Sequence, residues 1–400
     1  MADVVAGIVA EYNPFHNGHA HHLKETREET GASAVVAVLS SHFVQRGEPA
    51  CLSPQTRTAM ALQEGVDLVL ELPVPFSCHN AGVFASAAVD LLAATGIVSH
   101  LSFGMEDDIV ETKAILSILL DEPPPFKKAL KECLESGLSY VESRSRALER
   151  LLPGAGTLLS RPNNTLAIAY MMRLERAGHS LQPLAIPRIG AGYHDRQRGL
   201  IMSATGLRAA AAAEDWQALA GAMPDRAFNL FRDAMHRGRC LTDYGPLWLI
   251  LRALLLREGP SGIRGLAEMS EGVESAFVRQ ARLSTSWDEF VNNLTSKRYP
   301  RGRVQRQLIH TLLGLDHWTN RGLQRTGPPY LRVLGANSRG RALIRQMKEK
   351  ATLPLVSRGA DIPPGPATSM ERFRKMAGTV WEGLLTAEAQ ENPFPPPLMT

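Results

Sequence analysis

The chain has 400 residues, 44% apolar and 21% charged, with a net charge of +4, an ordinary globular composition with material for two or three domains. No apolar stretch approaches the roughly 20 residues that span a bilayer, and an N-terminus opening on Asp3, without a basic flank or small-residue cleavage site, excludes a secretory signal there. Cys51, Cys78, Cys133 and Cys240 are scattered with no CxxC pair, which argues against a disulfide framework or zinc ribbon and for a soluble protein of the reducing cytoplasm.

Four short Val/Leu-rich runs come first: "VVAGIVA" (4–10), "AVVAVLS" (34–40), "DLVLELP" (67–73) and "SHLSFG" (99–104). Continuous apolar runs of this length, each ending in a small or turn-forming residue, predict strands buried on both faces, as in a parallel sheet. Helical stretches separate them. "HNGHAHHLKETREETG" closes at Gly31 as C-cap, and "SPQTRTAMALQEG" takes Ser53 as N-cap, Pro54 at the first helical position and Gly65 as its end. "NAGVFASAAVDLLAATG" is apolar enough to pack on the sheet. This succession predicts an α/β, doubly wound, Rossmann-like domain. Helical insertions are expected over 108–150 and 163–178, and one more strand at "LQPLAIP" (181–187). From about residue 204, "ATGLRAAAAAEDWQALAGA" begins a region of helical periodicity, continued by "YGPLWLILRALLLREG" and "RVQRQLIHTLLGL". The predicted division is a catalytic domain over 1–210 and a mainly α-helical C-terminal domain over 211–400, whose tail "ENPFPPPLMT" is extended or frayed.

Charge divides along the same line. Lys plus Arg against Asp plus Glu is 17 against 22 in residues 1–200, 27 against 18 in 201–400, and 13 against 2 in 297–350. An acidic half joined to a basic half suits a catalytic part and a part that touches a polyanion; the alternative is a solvated Arg-rich helix face.

Ligands of open α/β sheets bind beyond the carboxyl ends of the strands, which is where "AEYNPFHNGHAHH" (10–22) falls. Asn13-Pro14 forces a turn, Gly18 lets a helix start approach a ligand, and His16 and His19 share one face of the first helical turn. That helix end already favours anions through its free N–H groups and dipole. Two imidazoles added there make a phosphate cradle able to strengthen on developing negative charge. On their own chemistry His21 and His22 read as surface residues. The i, i+3 spacing without thiolates is poor for a transition metal, and no metal ligand is assigned.

"HNGH" resembles the HxGH motif of the nucleotidyltransferase superfamily, which includes the class I aminoacyl-tRNA synthetases. "MSATGLR" (202–208) is similar to its second, ISSTxIR-like motif, although Ala204 and Gly206 depart from the commoner pattern. The resemblance implies that His16 and His19 are catalytic, holding ATP phosphates while the α-phosphate is attacked and pyrophosphate leaves, with Ser203 and Arg208 nearby. Read alone, "SATGLRAA" is an N-capped helix start.

The segments "GIVAEYNPFHNGH", "VQRGEPA", "RTAMALQEGVDLVLELP", "SFGME", "RPNNTLAIAY", "RIGAGYHD", "LTSKRYPRGRVQRQLIHTLL" and "PYLRVLGANSRGR" together resemble the bacterial tRNA(Met) cytidine acetate ligase family, in order, from residue 7 to about 341. That resemblance implies a HIGH-type nucleotidyltransferase domain. Acetate and ATP would give acetyl-adenylate, and the acetyl group would pass to N4 of the wobble cytidine in the anticodon loop of elongator tRNA(Met). ATP is then a substrate carrying its own Mg2+, and neither acetyl-CoA nor a membrane is involved.

The resemblance carries ATP contacts onto Val9, Ala10, Glu11, Tyr12, Asn13, Pro14, Phe15, His16, Asn17, Gly18, His19, Ala20, His21 and His22. It adds Gly104, Asn163 (or Asn164, one register on), Arg188 and Ile189. Glu11 would orient a histidine or assist magnesium. Gln45, Arg46 and Arg57 are either phosphate or acetate contacts or, respectively, a surface loop and a helix-surface ion pair. Lys297, Arg298, Arg301, Arg303 and Arg306, interleaved with Tyr299, suit backbone phosphates and one stacked base of tRNA, with Arg332, Arg339 and Arg341 extending the patch. His194 is either a general base for acetyl transfer or a structural histidine. Two other classes compete. A small-molecule adenylyltransferase leaves the basic segment unexplained, and intact His16 and His19 argue against a catalytically inactive RNA-binding protein on the same scaffold.

Overall fold

The computed structural model describes residues 3–188, 194–195, 199–270 and 272–400. The expected strands form as β1 (Val5–Ala10), β2 (Ala34–Ser40), β3 (Leu68–Leu72), β4 (His100–Met105) and β5 (Gln182–Pro187), all mutually parallel in the order β3-β2-β1-β4-β5. β2 and β3 are buried along their whole length, which their unbroken apolar runs require.

Helix α1 (Asn17–Thr30) ends on Gly31 at φ 64°. In α2 (Pro54–Gln63), Ser53 Oγ accepts from the Thr56 N–H, and Pro54 takes the first position. α3 (Val74–Ser77) and α4 (Ala81–Ala94) follow β3. Strand side chains alternate between two cores. Ala6, Ile8, Val35 and Ala37 pack with Leu23 of α1 and Met60 of α2, whereas Val5, Val36, Leu101 and Phe103 pack with Phe84, Ala88 and Leu92 of α4.

The insertion is α5 (Ile109–Asp121), α6 (Pro124–Glu135), α7 (Tyr140–Leu151), α8 (Ala155–Ser160) and α9 (Pro162–Ala177), with α9 lying on α4 and β4. β6 (His194–Asp195) and β7 (Gly199–Leu200) form a small antiparallel pair. The helical region runs through α10 (Ala204–Ala212), α11 (Trp216–Ala222), α12 (Asp225–His236), α13 (Gly245–Ile263), α14 (Val273–Leu283), α15 (Trp287–Leu294), α16 (Arg301–Leu313) and α17 (His317–Thr326). α13 breaks at Gly259, φ 64°, ahead of Pro260.

Two expectations for the second half change. β8 (Leu331–Ala336) lies antiparallel to β3, and beyond α18 (Ser338–Lys350), β9 (Leu355–Val356) and α19 (Pro366–Gly383) the chain ends in β10 (Leu398–Met399) beside β8. The sheet is therefore mixed, and the tail is not frayed: Thr400 N–H donates to Ala336 O at 3.1 Å. β8 was hidden because Arg332 interrupts its apolar pattern. That side chain is buried, 2.9 Å from Glu371 and 3.5 Å from Glu71, so it does not extend a surface patch. Arg339 also falls elsewhere, donating to Ser33 O just before β2, at the amino end of the parallel strands. Arg341, on the same helix, donates to Thr400 O. Among the described residues no helix is long and apolar enough to cross a membrane.

Candidate active site

A cavity of about 630 Å³ opens at the carboxyl ends of β1, β4 and β5. Beyond β1 the chain turns through Tyr12, at φ 45°, and enters α1 with His16 as N-cap. His16 Nδ1 accepts from the Gly18 N–H at 3.1 Å, and His19 Nδ1 accepts from the His16 N–H at 3.2 Å. With both Nδ1 atoms accepting, each neutral ring carries its proton on Nε2. The rings stack at 3.7 Å, with Tyr12 edge-on to His19 at 4.9 Å. A Cβ on Gly18 would lie 2.9 Å from His16 Cε1, so only glycine leaves room for this ring. Burial, reinforced by the Arg188 cation, pushes His16 down to about 3; His19 is lowered by burial, then by His16 and Arg188. His22, pushed to about 4 mainly by burial, hydrogen-bonds Ser102 of β4 at 3.0 Å. The pair is thus a set of neutral Nε2–H donors at a helix N-terminus.

Of the opening stretch, Val9 to Asn13, His16, Gly18, His19, His21 and His22 line the cavity. Pro14, Phe15, Asn17 and Ala20 do not: Phe15 is fully buried in the core and Asn17 donates to Gly221 O at 3.1 Å. Gly104 and Arg188 line it too, and a Cβ at Gly104 would sit 3.2 Å from Arg188 Cγ. Asn163 lines the cavity and accepts from Arg188 at 3.2 Å, whereas Asn164 is buried, with Oδ1 accepting from Glu106 N at 3.0 Å and Nδ2 donating to Leu158 O at 3.0 Å. Of the two, only Asn163 lines the cavity. Ile189 and the His194 side chain lie outside the described residues.

Gln45 and Arg46 reach the cavity, and Gln45 N–H donates to Glu11 Oε1 at 2.8 Å. Burial raises the Glu11 carboxyl, opposed by that bond and by Arg57, Arg46 and Arg208. Arg57 is placed differently from either sequence reading. It is fully buried, donating to Leu52 O at 3.1 Å, Glu11 O at 2.7 Å, Ser40 O at 2.9 Å and Ser41 O. It clamps the loops under the cavity and does not line it. Ser203 caps α10 through Gly206 N–H at 3.1 Å and also lines the cavity. Arg208, beside it, donates to Asn13 O at 3.0 Å and faces Glu48 at 3.4 Å.

The sequence reading missed Glu48 and Glu106, which line the same cavity, and its apolar side of Phe84, Phe103, Leu166 and Tyr170. "VQRGEPA" and "SFGME" contain three of these six, but nothing in their spacing marked them.

The basic segment is partly engaged. Lys297 and Arg298 are exposed, and Arg301 donates to Asp288 at 2.6 Å and Asn292 at 2.7 Å. Arg303 covers one face of Tyr299 at 4.4 Å, and Arg306 lies 3.5 Å from Glu268. Tyr299 OH donates to Ser270 O at 3.1 Å, so the ring expected to stack on a base is half-buried with an arginine on it. Beneath α16, donor atoms of His79, Glu268 and His310 lie within 4.8 Å of one another. There the His79 Nδ1 accepts from Asn80 N–H at 2.8 Å, which leaves the proton on Nε2, and Arg306 supplies a positive charge.

An N-capped histidine pair at the strand ends, answered by Ser203 and Arg208, defines a nucleotidyltransferase, and the model of the HIGH Nucleotidyl Transferase family matches residues 4–391. The tRNA(Met) cytidine acetate ligases of Lysinibacillus sphaericus (strain C3-41) and Acetivibrio thermocellus are each 37% identical, over 88% and 89% of this chain and 89% and 88% of the relative. The chain belongs to the tRNA(Met) cytidine acetate ligase family. The crystal structure of Thermotoga maritima TmcAL bound with alpha-thio ATP is 29% identical, with a TM-score of 0.91 over 99% of this chain and 100% of that one.

Proposed function

We propose that the protein is an ATP-dependent ligase that forms acetyl-adenylate from acetate and ATP. It then transfers the acetyl group to N4 of the wobble cytidine of elongator tRNA(Met), in the cytoplasm. The observation that carries the reading is the stacked His16–His19 pair, with both Nδ1 atoms held by backbone N–H groups, in a cavity shared with Arg208.

An acetate oxygen bonds the α-phosphorus, and the bond from that phosphorus to the bridging oxygen breaks as pyrophosphate leaves with the electron pair. Acetate is already ionised at neutral pH, so this step needs positioning and charge stabilisation rather than a base. The two Nε2–H donors, the positive dipole end of α1 and the Arg208 guanidinium supply these on the phosphates. Arg188 and Asn163 hold the nucleotide beside Gly104. The carboxylates lining the cavity, Glu11, Glu48 and Glu106, each already accept a protein hydrogen bond. That suits a magnesium ion carried by the nucleotide's phosphates rather than caged by protein. In the second step the cytidine amine attacks the acetyl carbonyl, AMP leaves and the amine loses a proton. Residues 1–210 carry this chemistry, and the second half docks the anticodon loop through Lys297, Arg298 and their neighbours.

The test is label transfer from acetate to elongator tRNA(Met) with ATP and magnesium, without acetyl-CoA. Label in N4-acetylcytidine at the wobble position is the expected result; active, folded protein that transfers none refutes the reading.

A further inference from the structure

The cavity straddles the sheet. Gly104 and the histidines lie on the α1 side, but strand alternation turns Phe103 to the other side, toward α4 and α9, where Phe84, Leu166 and Tyr170 also line the cavity. Phe84, Phe103 and Tyr170 are 3%, 4% and 5% exposed, and the Phe103 and Tyr170 rings are 5.7 Å apart. Among the described residues the Tyr170 hydroxyl has no hydrogen-bond partner. Burial, then the nearby Glu11 charge, pushes its pKa up, so it stays a donor. A buried, unpaired hydroxyl is costly in a closed core; at a cavity wall it is satisfied by what binds.

We propose that this recess seats the carboxylate substrate, with Tyr170 donating to a carboxylate oxygen and Phe84, Phe103 and Leu166 enclosing a short alkyl group. The assignment rests on the ligase reading above. Thr165 also lines this side but its hydroxyl already donates to Leu159 O at 2.9 Å, so the Tyr170 hydroxyl among apolar walls fits a molecule with one polar end. A nucleobase carries donors and acceptors around its edge and would leave several unpaired here. The recess and the histidine pair flank the same strand ends from opposite sides, so nucleophile and leaving pyrophosphate approach the α-phosphorus from different directions, as in-line displacement requires.

The experiment is carboxylate-dependent ATP–pyrophosphate exchange by the full chain without RNA, comparing acetate with propionate. Tyr170→Phe keeps the ring and is expected to raise the acetate KM roughly ten- to a hundredfold, with the ATP KM unchanged. Leu166→Ala is expected to move the acetate-to-propionate preference about tenfold toward propionate. Acetate KM and preference unchanged in both variants, with wild type active, overturn the recess assignment and leave the ligase reading standing. A Tyr170→Phe variant that raises the ATP KM as much as the acetate KM also overturns it. Wild type without acetate-dependent exchange overturns the ligase reading, and the recess assignment with it.

Discussion

Glu48 accepts a hydrogen bond from Gln305 at 3.0 Å, across 257 positions of sequence, while its other oxygen faces Arg208 at 3.4 Å. One carboxylate thus joins the phosphate side of the cavity to the helix that carries the basic segment. The neighbouring Gly47, at φ 82°, lies directly on the backbone of that helix: a Cβ there would be 2.5 Å from the Gln305 carbonyl carbon. The loop over residues 44–48 is therefore a wall of the nucleotide cavity on one side and the seat of α16 on the other.

Gly47→Ala tests that shared loop. The added methyl meets backbone, which cannot rotate away, and the left-handed φ adds strain. The expected result is a loss of about 2–4 kcal/mol in urea unfolding, with weaker binding of both ATP and tRNA to the protein that remains folded. Loss of one affinity without the other would mean that the two sites do not share the loop.

The buried histidines predict a pH dependence of stability. His16 and His42 are pushed down to about 3 and His22 to about 4, chiefly by burial, against about 6.5 in the unfolded chain. Between those values the unfolded chain binds more protons, so stability is complete above about pH 6.5 and falls as pH drops toward the folded values. The urea midpoint is expected to fall clearly between pH 7 and pH 5. Nitrogen NMR at pH 6 should show His16 and His19 as neutral Nε2–H tautomers. An unchanged midpoint, or charged imidazoles at pH 6, contradicts the geometry.

The five parallel strands and the HxGH helix were legible because each depends on local signals: apolar runs, Ser53 with Pro54, and Gly31 as a left-handed cap. β8 was not, because its Arg332 is acceptable in a sheet only beside Glu71 and Glu371, one far upstream and one far downstream in the chain. Arg57 shows the same limit. Its spacing in α2 is compatible with a ligand contact, and only the folded loops reveal that carbonyls of Glu11, Ser40, Ser41 and Leu52 surround its guanidinium. For Asn163 and Asn164 sequence offered two registers, and the fold turns one side chain to the cavity and buries the other.

Gly104 is the place to perturb nucleotide binding alone. A valine there must displace Arg188, whose Cγ already lies 3.2 Å from the position of a Cβ, and with it the Arg188–Asn163 bond. The ATP KM is expected to rise by about tenfold or more, with the tRNA KM and the unfolding midpoint little changed. An unaltered ATP KM would remove Gly104 and Arg188 from the nucleotide's contacts.

Arg57→Met should behave as a folding variant. Burial lowers the guanidinium only to about 10, so the residue is a buried cation held by backbone carbonyls. Removing it leaves those acceptors unpaired, an expected loss of about 3–5 kcal/mol. Denaturant unfolding measures this directly. If Arg57→Met instead keeps its stability and loses only acetate or ATP affinity, the residue acts on ligand after all.

The basic segment divides into exposed and engaged charges, and salt dependence distinguishes them. Lys297 is exposed, whereas Arg301 is paired with Asp288 at 2.6 Å. For a polyanion, each phosphate contact adds about 0.7–0.9 to the slope of log affinity against log salt. The variant Lys297→Ala is expected to weaken tRNA binding and flatten that slope by about 0.7–0.9, leaving acetate-dependent pyrophosphate exchange intact. Arg301→Ala should change the slope by less, because its guanidinium already has a protein partner and its loss instead unpins α16 from α15. Equal slope changes for Arg301 and Lys297 would mean that RNA displaces Asp288 from Arg301 on docking. A slope unchanged in both variants would place the RNA on another face of the second half.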